Sequence, residues 1–557
     1  MNKARVGIIV DNLNSSKQIY DYIKMSFNSK NYKVTHLIVQ NTTDTKKNIL
    51  AKSLSYIKKK GLGRFLSIIF FKVLFGIESL FFRRDKKLKN FFKTYSLKEF
   101  DLETIYVEPI ISNNGFIHNY SKRDLEKIKS KDFNLLIRGG TGILKGEILN
   151  ICKNGIISFH HGDNQFYRGG PPGFWEIRNK EIRTGFIIQK LNDELDNGEI
   201  LFKGFFSTHW IYTLNLINLL EKSNLFLHHV IEDLTSNSPQ MILRDKYLSP
   251  PKIYTLPSIF IQLSYVGTLI KNIITKFLDK YFKKDYRWNI AYQYTKKWKN
   301  INLNQLNIIP NPPNRYLADP FLIKKGENHY CFVEDYNIKT NKGSISVYEI
   351  TKNSYKEMGI ALEESFHLSY PFIFKYKNDI YMCPETTEAK DIRLYKCIDF
   401  PLKWEFTQTL IHNVIAADTN IFYKDKKWWL MTNLSNSQIQ DNQSELHIFS
   451  NENLFSDQWK PHNKNPVIFD PLFARNAGFV IENTNYYRVF QRPGFNHYGK
   501  SLGVSKINEI NQNIYKEKYE FEVLPDFLRD IKGTHTYNFS EGLLILDFLK
   551  TSKKIKA

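Results

Sequence analysis

"ISFHHGDNQFYRGGPPGFWEI", residues 157–177, places two adjacent histidines, His160 and His161, an acid, Asp163, and an amide, Asn164, directly before a Tyr-Arg-Gly-Gly-Pro-Pro turn. Periodicity gives the setting upstream. Residues 6–10 are a short apolar run suited to a parallel strand buried on both faces, residues 15–27 carry a helical pattern, and residues 33–39 form a second such strand. That order predicts an open, mostly parallel α/β sheet. "FNLLIRGGTGIL", residues 133–144, is a further strand running into a glycine-rich turn, with a helix expected through about Cys152. Ligands in open α/β sheets collect beyond the carboxyl ends of the strands, so Arg138, Gly139, Gly140 and Gly142 are expected to line a site.

The spacing of the polar anchors carries more. His160 is followed by Tyr167-Arg168-Gly169, then Pro172, then Thr184-Gly185, then Leu195-Asp196-Asn197-Gly198. Over residues 135–201 this series resembles the catalytic core of the formyltransferases that use N10-formyltetrahydrofolate, the enzymes of methionyl-tRNA, glycinamide ribonucleotide and sugar N-formylation. The resemblance implies that His160 is the catalytic histidine and Asp196 its acidic partner. The asparagine of the family pattern falls on Ser158, whose hydroxyl reaches less far than a carboxamide, and Asn164 is the alternative source of an amide. Ile143, Leu144 and Asp193 join the Arg138 turn in the implied folate pocket. Such transfer sends an amine onto a formyl carbon, so it needs a donor for the tetrahedral oxyanion and an acid/base group to move the amine proton. A histidine near neutral pKa, oriented by a buried aspartate, meets the second need. N10-formyltetrahydrofolate is the implied co-substrate, and no metal is required.

"RFLSIIFFKVLFGIESLFFRRDKK", residues 64–87, is apolar but interrupted by Lys72 and Glu78 and bounded by bases, which makes it short and impure for a membrane-spanning helix. Two readings fit it equally: an interfacial helix with its aromatic side chains at the headgroup boundary, or a hairpin packed on the protein's own surface. It belongs to a basic amphipathic insertion at about 50–95 within an α/β domain spanning 1–250. Residues 251–287, with Pro251, Pro257 and a second basic apolar stretch, read as a helical linker that can touch the same membrane surface.

From Trp288 to residue 550 the texture changes. "YLADPFLIKKGENHYCFVEDY", "SYPFIFKYKNDIYMCPETTE", "AADTNIFYKDKKWWLMTN", "ARNAGFVIENTNYYRVFQRPG" and "GTHTYNFSEGLLILDF" repeat one plan at a spacing of about fifty residues. The plan is a polar approach, an apolar strand, a polar turn and an aromatic strand. Five such repeats predict an all-β five-bladed propeller. Ala318-Asp319-Pro320-Phe321, Tyr370-Pro371, Pro384-Glu385-Thr386, Asp418 and Arg475-Asn476 resemble, more loosely, the propellers of arabinanase-like glycosidases and the one beside the catalytic domain of plant glucosamine inositolphosphorylceramide transferases. Carboxylates from different blades converge on the cavity of such glycosidases. Asp319, Glu385, Asp418 and Arg475 are therefore the cavity candidates, and a carbohydrate-binding role is favoured over hydrolysis because the fourth repeat offers Arg475 where an acid is needed.

With 557 residues the chain exceeds one ordinary core, and two large domains fit best. The net charge of +23 comes mostly from lysines scattered through an Asn- and Ile-rich background, so nucleic acid is not an expected partner, whereas an anionic membrane surface is. Four cysteines without a CxxC pair suit a reducing compartment, and the N-terminus enters a strand without a signal-peptide pattern. Together these lead to the expectation of a cytoplasmic enzyme, peripheral at the inner membrane face, that formylates an amino sugar or glycan intermediate in surface-polysaccharide assembly. The competing expectations are a glycan-binding scaffold that has lost its chemistry, and a glycan-active enzyme whose chemistry lies in the propeller.

Overall fold

Val6, Ile8, Ile9 and Val10, all buried, make Ala4–Val10 an interior strand of a seven-stranded open sheet, beside the central strand Leu135–Arg138. The structure is a computed structural model that describes residues 3–41, 57–112, 115–193, 198–236, 252–281, 285–299, 303–352, 354–435 and 437–552. From edge to edge the sheet runs Glu199–Ser207, Arg183–Lys190, Ile156–His160, Leu135–Arg138, Ala4–Val10, Tyr32–Gln40 and Glu103–Val107. The last five pair in parallel, and the first two join antiparallel, so the sheet is mixed. Helix Lys17–Ser26 covers one face with Ile19, Tyr22 and Ile23, and the long helix Tyr212–Leu234 packs on it and on Arg183–Lys190. The first helix starts later than its periodicity suggests because Asn14–Ser16 is spent on a short ladder with Thr94–Ser96.

Two expectations change. After the Gly140–Gly142 turn there is no α-helix: Glu147–Asn150 is a single 3-10 turn, entered through Gly146 at φ 81° and closed by the Leu149 amide on the Gly146 carbonyl. The second concerns the apolar segment, which forms the single helix Leu62–Phe82 and not a hairpin, and which among the described residues is packed on the protein along one side. Phe71 and Phe75 meet Phe174 and Tyr212 there, and Glu78 accepts hydrogen bonds from the Tyr265 hydroxyl and from the Thr213 amide and hydroxyl.

The chain divides into two units, Met1–Lys271 with Ser437–Ile439, and Asn272–Asn436 with Gln440–Ala557. The division falls inside helix Ile259–Tyr281, within the segment that reads as linker. Among the described residues, the second unit has five antiparallel sheets. Four are local, opened by the strands Arg315–Lys325, Ser369–Tyr376, Ala416–Lys424 and Asn476–Glu482. The fifth joins the two ends of the unit: Tyr537–Ser540 pairs with Leu543–Ser552, which pairs over ten residues with Asp285–Tyr294. Each opening strand packs on the next, and Tyr537–Ser540 packs on both Asn476–Glu482 and Arg315–Lys325, which closes the order into a ring.

Candidate functional site

In the first unit, Ser158 and His160 share one face of Ile156–His160, since strand residues two apart point the same way. The strand ends at His160, and the chain then turns sharply. A Cβ at Gly162 would lie 2.4 Å from the Tyr167 carbonyl oxygen and 3.3 Å from His160 Nε2, so only glycine fits between the turn and the imidazole. His161 points elsewhere. Its ring stacks on Phe159, with Nε2 3.2 Å from Gln18 Nε2 and 3.3 Å from Ser223 Oγ, and burial drives its pKa down to about 3. His161 is therefore a neutral, half-buried group.

Asp163 builds the turn. Its carbonyl accepts the Phe166 and Tyr167 amides, and its carboxylate holds Lys203 Nζ at 2.8 Å. Asn164 is 3% exposed, and its Oδ1 has no hydrogen-bond partner among the described residues. The Ser158 hydroxyl donates to the Phe159 carbonyl at 3.1 Å, a local bond that leaves the hydroxyl able to accept. Asp196 lies outside the described residues.

Of the expected folate pocket, Arg138, Gly140 and Gly142 hold polar positions, and Leu144 and Gly139 do not. Leu144 is in the apolar core with Ile9 and Leu136, and Gly139 continues the sheet by donating its amide to Ile9, with no room for a ligand against Ile8 and Ile19. Ile143 pairs with Ile117 in a short ladder, and Asp193 is exposed, 3.4 Å from the Gly146 amide.

The sequence reading missed the network around Arg138. Asp11, Gln40 and Arg138 stand at the carboxyl ends of three adjacent parallel strands. Gln40 donates to Asp11 at 3.1 Å and accepts from Tyr120 at 2.8 Å, with His118 Nδ1 2.9 Å away. Both oxygens of Asp11 accept the Thr141 amide at 2.9 Å. Arg138 Nη2 donates to the Gly142 carbonyl at 2.7 Å, while Nη1 is buried and unpartnered among the described residues. Burial pulls the Arg138 pKa down, against Tyr120 and Asp11. Gly142, at φ 87°, sits where a Cβ would meet the His118 ring at 2.5 Å.

The second unit has its own polar centre. Three of its opening strands carry a bulge containing a non-glycine residue in the left-handed region: Asp319 at φ 48°, Tyr370 at 45° and Asp418 at 51°. The fourth strand bulges at Gly478, φ 132°. A bulge adds a residue and re-aims side chains, and left-handed backbone is uncommon outside glycine, so the repeated device marks these positions. They converge. Asp418 Oδ2 lies 2.6 Å from Arg475 Nε, the Asp418 amide donates to Glu385 at 3.2 Å, and Glu385 is 3.9 Å from Arg475 Nη2. Asp319 accepts from the Thr536 hydroxyl at 2.6 Å and the Tyr370 amide at 3.3 Å, and lies 3.7 Å from His535 Nε2.

Three groups absent from the sequence reading complete this centre: Glu334, His535 and Asp547. Asp547 faces His535 Nδ1 at 2.5 Å, and the His535 ring stacks on Trp288 with centroids 3.7 Å apart. Glu334 Oε1 lies 3.6 Å from His367. Burial pushes Asp319 up to about 6 against the pull of His535, and Asp418 up to about 7 against Arg475, while Glu334 rises well above the carboxylate range. Burial works against the charge on His535, but Asp547 and Asp319 outweigh it and hold its pKa up. Acids with separated proton affinities beside a cationic partner are the raw material of acid/base chemistry. Glu385 and Arg475 keep 16% and 14% of their side chains open, which makes them the accessible members. Toward the other ends of the opening strands lies a cavity of about 430 Å³ lined by Phe321, Phe372, Phe422, Phe479 and Phe539.

Residues 306–545 match the family described as glucosamine inositolphosphorylceramide transferase 1, N-terminal. The chain is 35% identical over 215 residues to glucosamine inositolphosphorylceramide transferase 1 of Oryza sativa subsp. indica, which covers 37% of this chain and 28% of that protein. It is also 36% identical over 83 residues to methionyl-tRNA formyltransferase of Clostridioides difficile (strain 630), covering 15% of this chain and 27% of that one. The chain thus spans only a quarter to a third of the length of these relatives. Among solved structures, glycinamide ribonucleotide transformylase 1 from Symbiobacterium toebii is similar over 44% of this chain and 95% of its own, at 11% identity and a TM-score of 0.29, a level that carries no argument.

Proposed function

We propose that the first unit is a formyltransferase-like enzyme that moves a formyl group from N10-formyltetrahydrofolate to the amine of an amino sugar or glycan intermediate. The buried Asn164 amide oxygen without a partner carries this reading. Such an atom costs roughly 1–3 kcal/mol when left unsatisfied, and an acceptor amine N–H is a donor that satisfies it. In this reading Asn164 orients the amine, the Ser158 hydroxyl polarises the formyl oxygen, and His160 takes the amine proton as the new carbon–nitrogen bond forms and delivers it to the folate N10 as the formyl carbon–N10 bond breaks. Arg138 Nη1 and the turn at Gly140 to Gly142 supply donors at the strand ends where the acceptor atoms of a folate ring would lie. The local similarity to methionyl-tRNA formyltransferase supports the reaction class.

The second unit, in this proposal, is a five-bladed propeller that holds the glycan part of the substrate, a reading supported by the closed order of its five sheets. Titration calorimetry of the full chain with a stable N10-formyltetrahydrofolate analogue tests the whole. Binding by wild type, kept in His160→Ala while formyl transfer to amino-sugar nucleotides is lost, supports it. Absence of binding at millimolar analogue sinks it.

One observation favours a second reading, in which the propeller itself acts on glycan. Asp319, Glu385 and Asp418 converge with Arg475 and His535 on one polar centre. Asp319→Asn and Glu385→Gln separate the two: loss of glycan turnover with analogue binding unchanged favours the second reading.

A further inference from the structure

Helix Leu62–Phe82 has two apolar faces. Ser67, Phe71, Phe75 and Glu78 recur at three- and four-residue intervals and turn toward the protein. The opposite stripe, Leu62, Leu66, Ile69, Val73, Ile77 and Leu80, keeps the same spacing and lies in solvent, with Val73 54% and Ile77 62% exposed. A helix lying on a protein ordinarily shows polar residues on that side, and a contiguous exposed apolar stripe marks an interaction surface. Its neighbour repeats the arrangement. Gln262 and Tyr265 of Ile259–Tyr281 are buried and bond to the Ser67 carbonyl and to Glu78, while Phe260, Leu263 and Ile270 face outward, Phe260 79% exposed.

Charge identifies the occupant. Lys58, Lys59 and Lys60 precede the first helix, Arg83, Arg84, Lys86 and Lys87 follow it, and all are exposed, with Asp85 the one acid among them. An apolar side with basic ends matches the interface of a bilayer rich in anionic headgroups. A second copy of the chain fits less well, because a two-fold contact along this stripe would bring basic ends onto basic ends. The helix is long enough to span, with a mean hydropathy of 2.0. However, Glu78, Thr213 and Tyr265 commit one side of it to the protein, so the remaining side lies along a surface. We infer that the outward stripes of Leu62–Phe82 and of its neighbouring helix dock this protein on an anionic lipid bilayer surface.

The test is co-sedimentation of the full chain with vesicles of phosphatidylcholine alone or mixed with phosphatidylglycerol, at low and high salt. The expected result is association with the anionic vesicles that weakens with salt. Ile69→Glu, Val73→Glu and Ile77→Glu combined should lower partitioning by roughly a thousandfold, since each takes away an aliphatic side chain that docking would bury in the interface. A second variant, Arg83→Ser, Arg84→Ser, Lys86→Ser and Lys87→Ser combined, should lower it by up to roughly a thousandfold at low salt and far less at high salt, with the packed face untouched. Any of three results overturns the inference: no association of wild type with anionic vesicles at low salt, equal association of both variants, or a soluble wild-type dimer that the first variant converts to monomer.

Discussion

The Tyr370 hydroxyl oxygen accepts the Gly478 amide at 2.8 Å, so a side chain of the second sheet holds the backbone of the fourth across the ring. The same hydroxyl donates to Asn420 Oδ1 in the third sheet at 2.9 Å, and the residue is fully buried. Tyr370→Phe keeps the ring and strips both bonds. It should destabilise the chain by about 1–3 kcal/mol, because the Gly478 amide is left unpaired in the interior. Urea denaturation reads this as a lower midpoint at unchanged slope.

Arg475→Met should be more damaging, by about 3–5 kcal/mol, since it leaves the Asp418 carboxylate without its cation in a closed site. Adding Asp418→Asn should recover a large part of that loss. A double-mutant cycle with no recovery would show that the guanidinium acts through packing, for example on the Tyr498 ring 5.2 Å away, and not through the pair.

Glu176 and His161 set opposite limits on the pH range of the first unit. Burial, reinforced by Asp163 and Glu181, pushes Glu176 up to about 8, above its unfolded value. The stability tied to its protonated form is complete below about pH 4.5 and is lost as pH rises through about 8. His161 is the reverse: its folded pKa of about 3 lies below the unfolded value, so its contribution is complete above the unfolded pKa and falls as acid forces a charge onto the half-buried ring. Melting temperatures should fall from about pH 5 to about pH 8 in wild type and level off above that, and Glu176→Gln should remove this fall.

If Asn164 receives the acceptor amine, Asn164→Ala should raise KM for the amine substrate with little change in folate-analogue affinity. His160→Ala should instead lower kcat by roughly 10²–10⁴-fold, the usual worth of a positioned proton acceptor. Equal losses in both parameters for both variants would mean that the turn around Gly162 has collapsed and that neither role has been measured.

Gly142→Ala forces a side chain into left-handed backbone and into the His118 ring. It should cost stability and abolish analogue binding together, because His118, Gln40 and Arg138 form one connected network with this turn. Retained affinity would move the folate pocket away from the Arg138 turn.

The parallel strands were legible because a strand buried on both faces reads as an unbroken apolar run, as in Ala4–Val10 and Leu135–Arg138. The turn after His160 was legible in its glycines and in Tyr167 and Arg168, while the role of His160 belongs to the proposal. The Asp11, Gln40, His118 and Tyr120 network was not, since four unremarkable residues up to 109 positions apart meet only through sheet order. In the second unit the approach residues of the repeats pointed to Asp319 and Asp418. The same alignment of repeats sets His535 in "GTHTYNF" beside them, a signal that was present and unused. Asp547 lies inside the apolar strand Leu543–Ser552, where periodicity reads only core. Leu144 shows the converse error: adjacency to a glycine turn suggested a pocket, but strand alternation turns its side chain inward.

The pairing of Asp285–Tyr294 with Leu543–Ser552 makes the first strand of the second unit wait for its last. On the ribosome, the seven-stranded sheet can complete itself while later codons are still being read. Asp285–Tyr294 pairs early with Asn307–Ile309 on one side, but its other edge stays open until some 250 further residues have been made, a span set by the same register. Synthesis at ordinary speed leaves that edge open for roughly 10–50 seconds, long enough for a holdase chaperone to engage it.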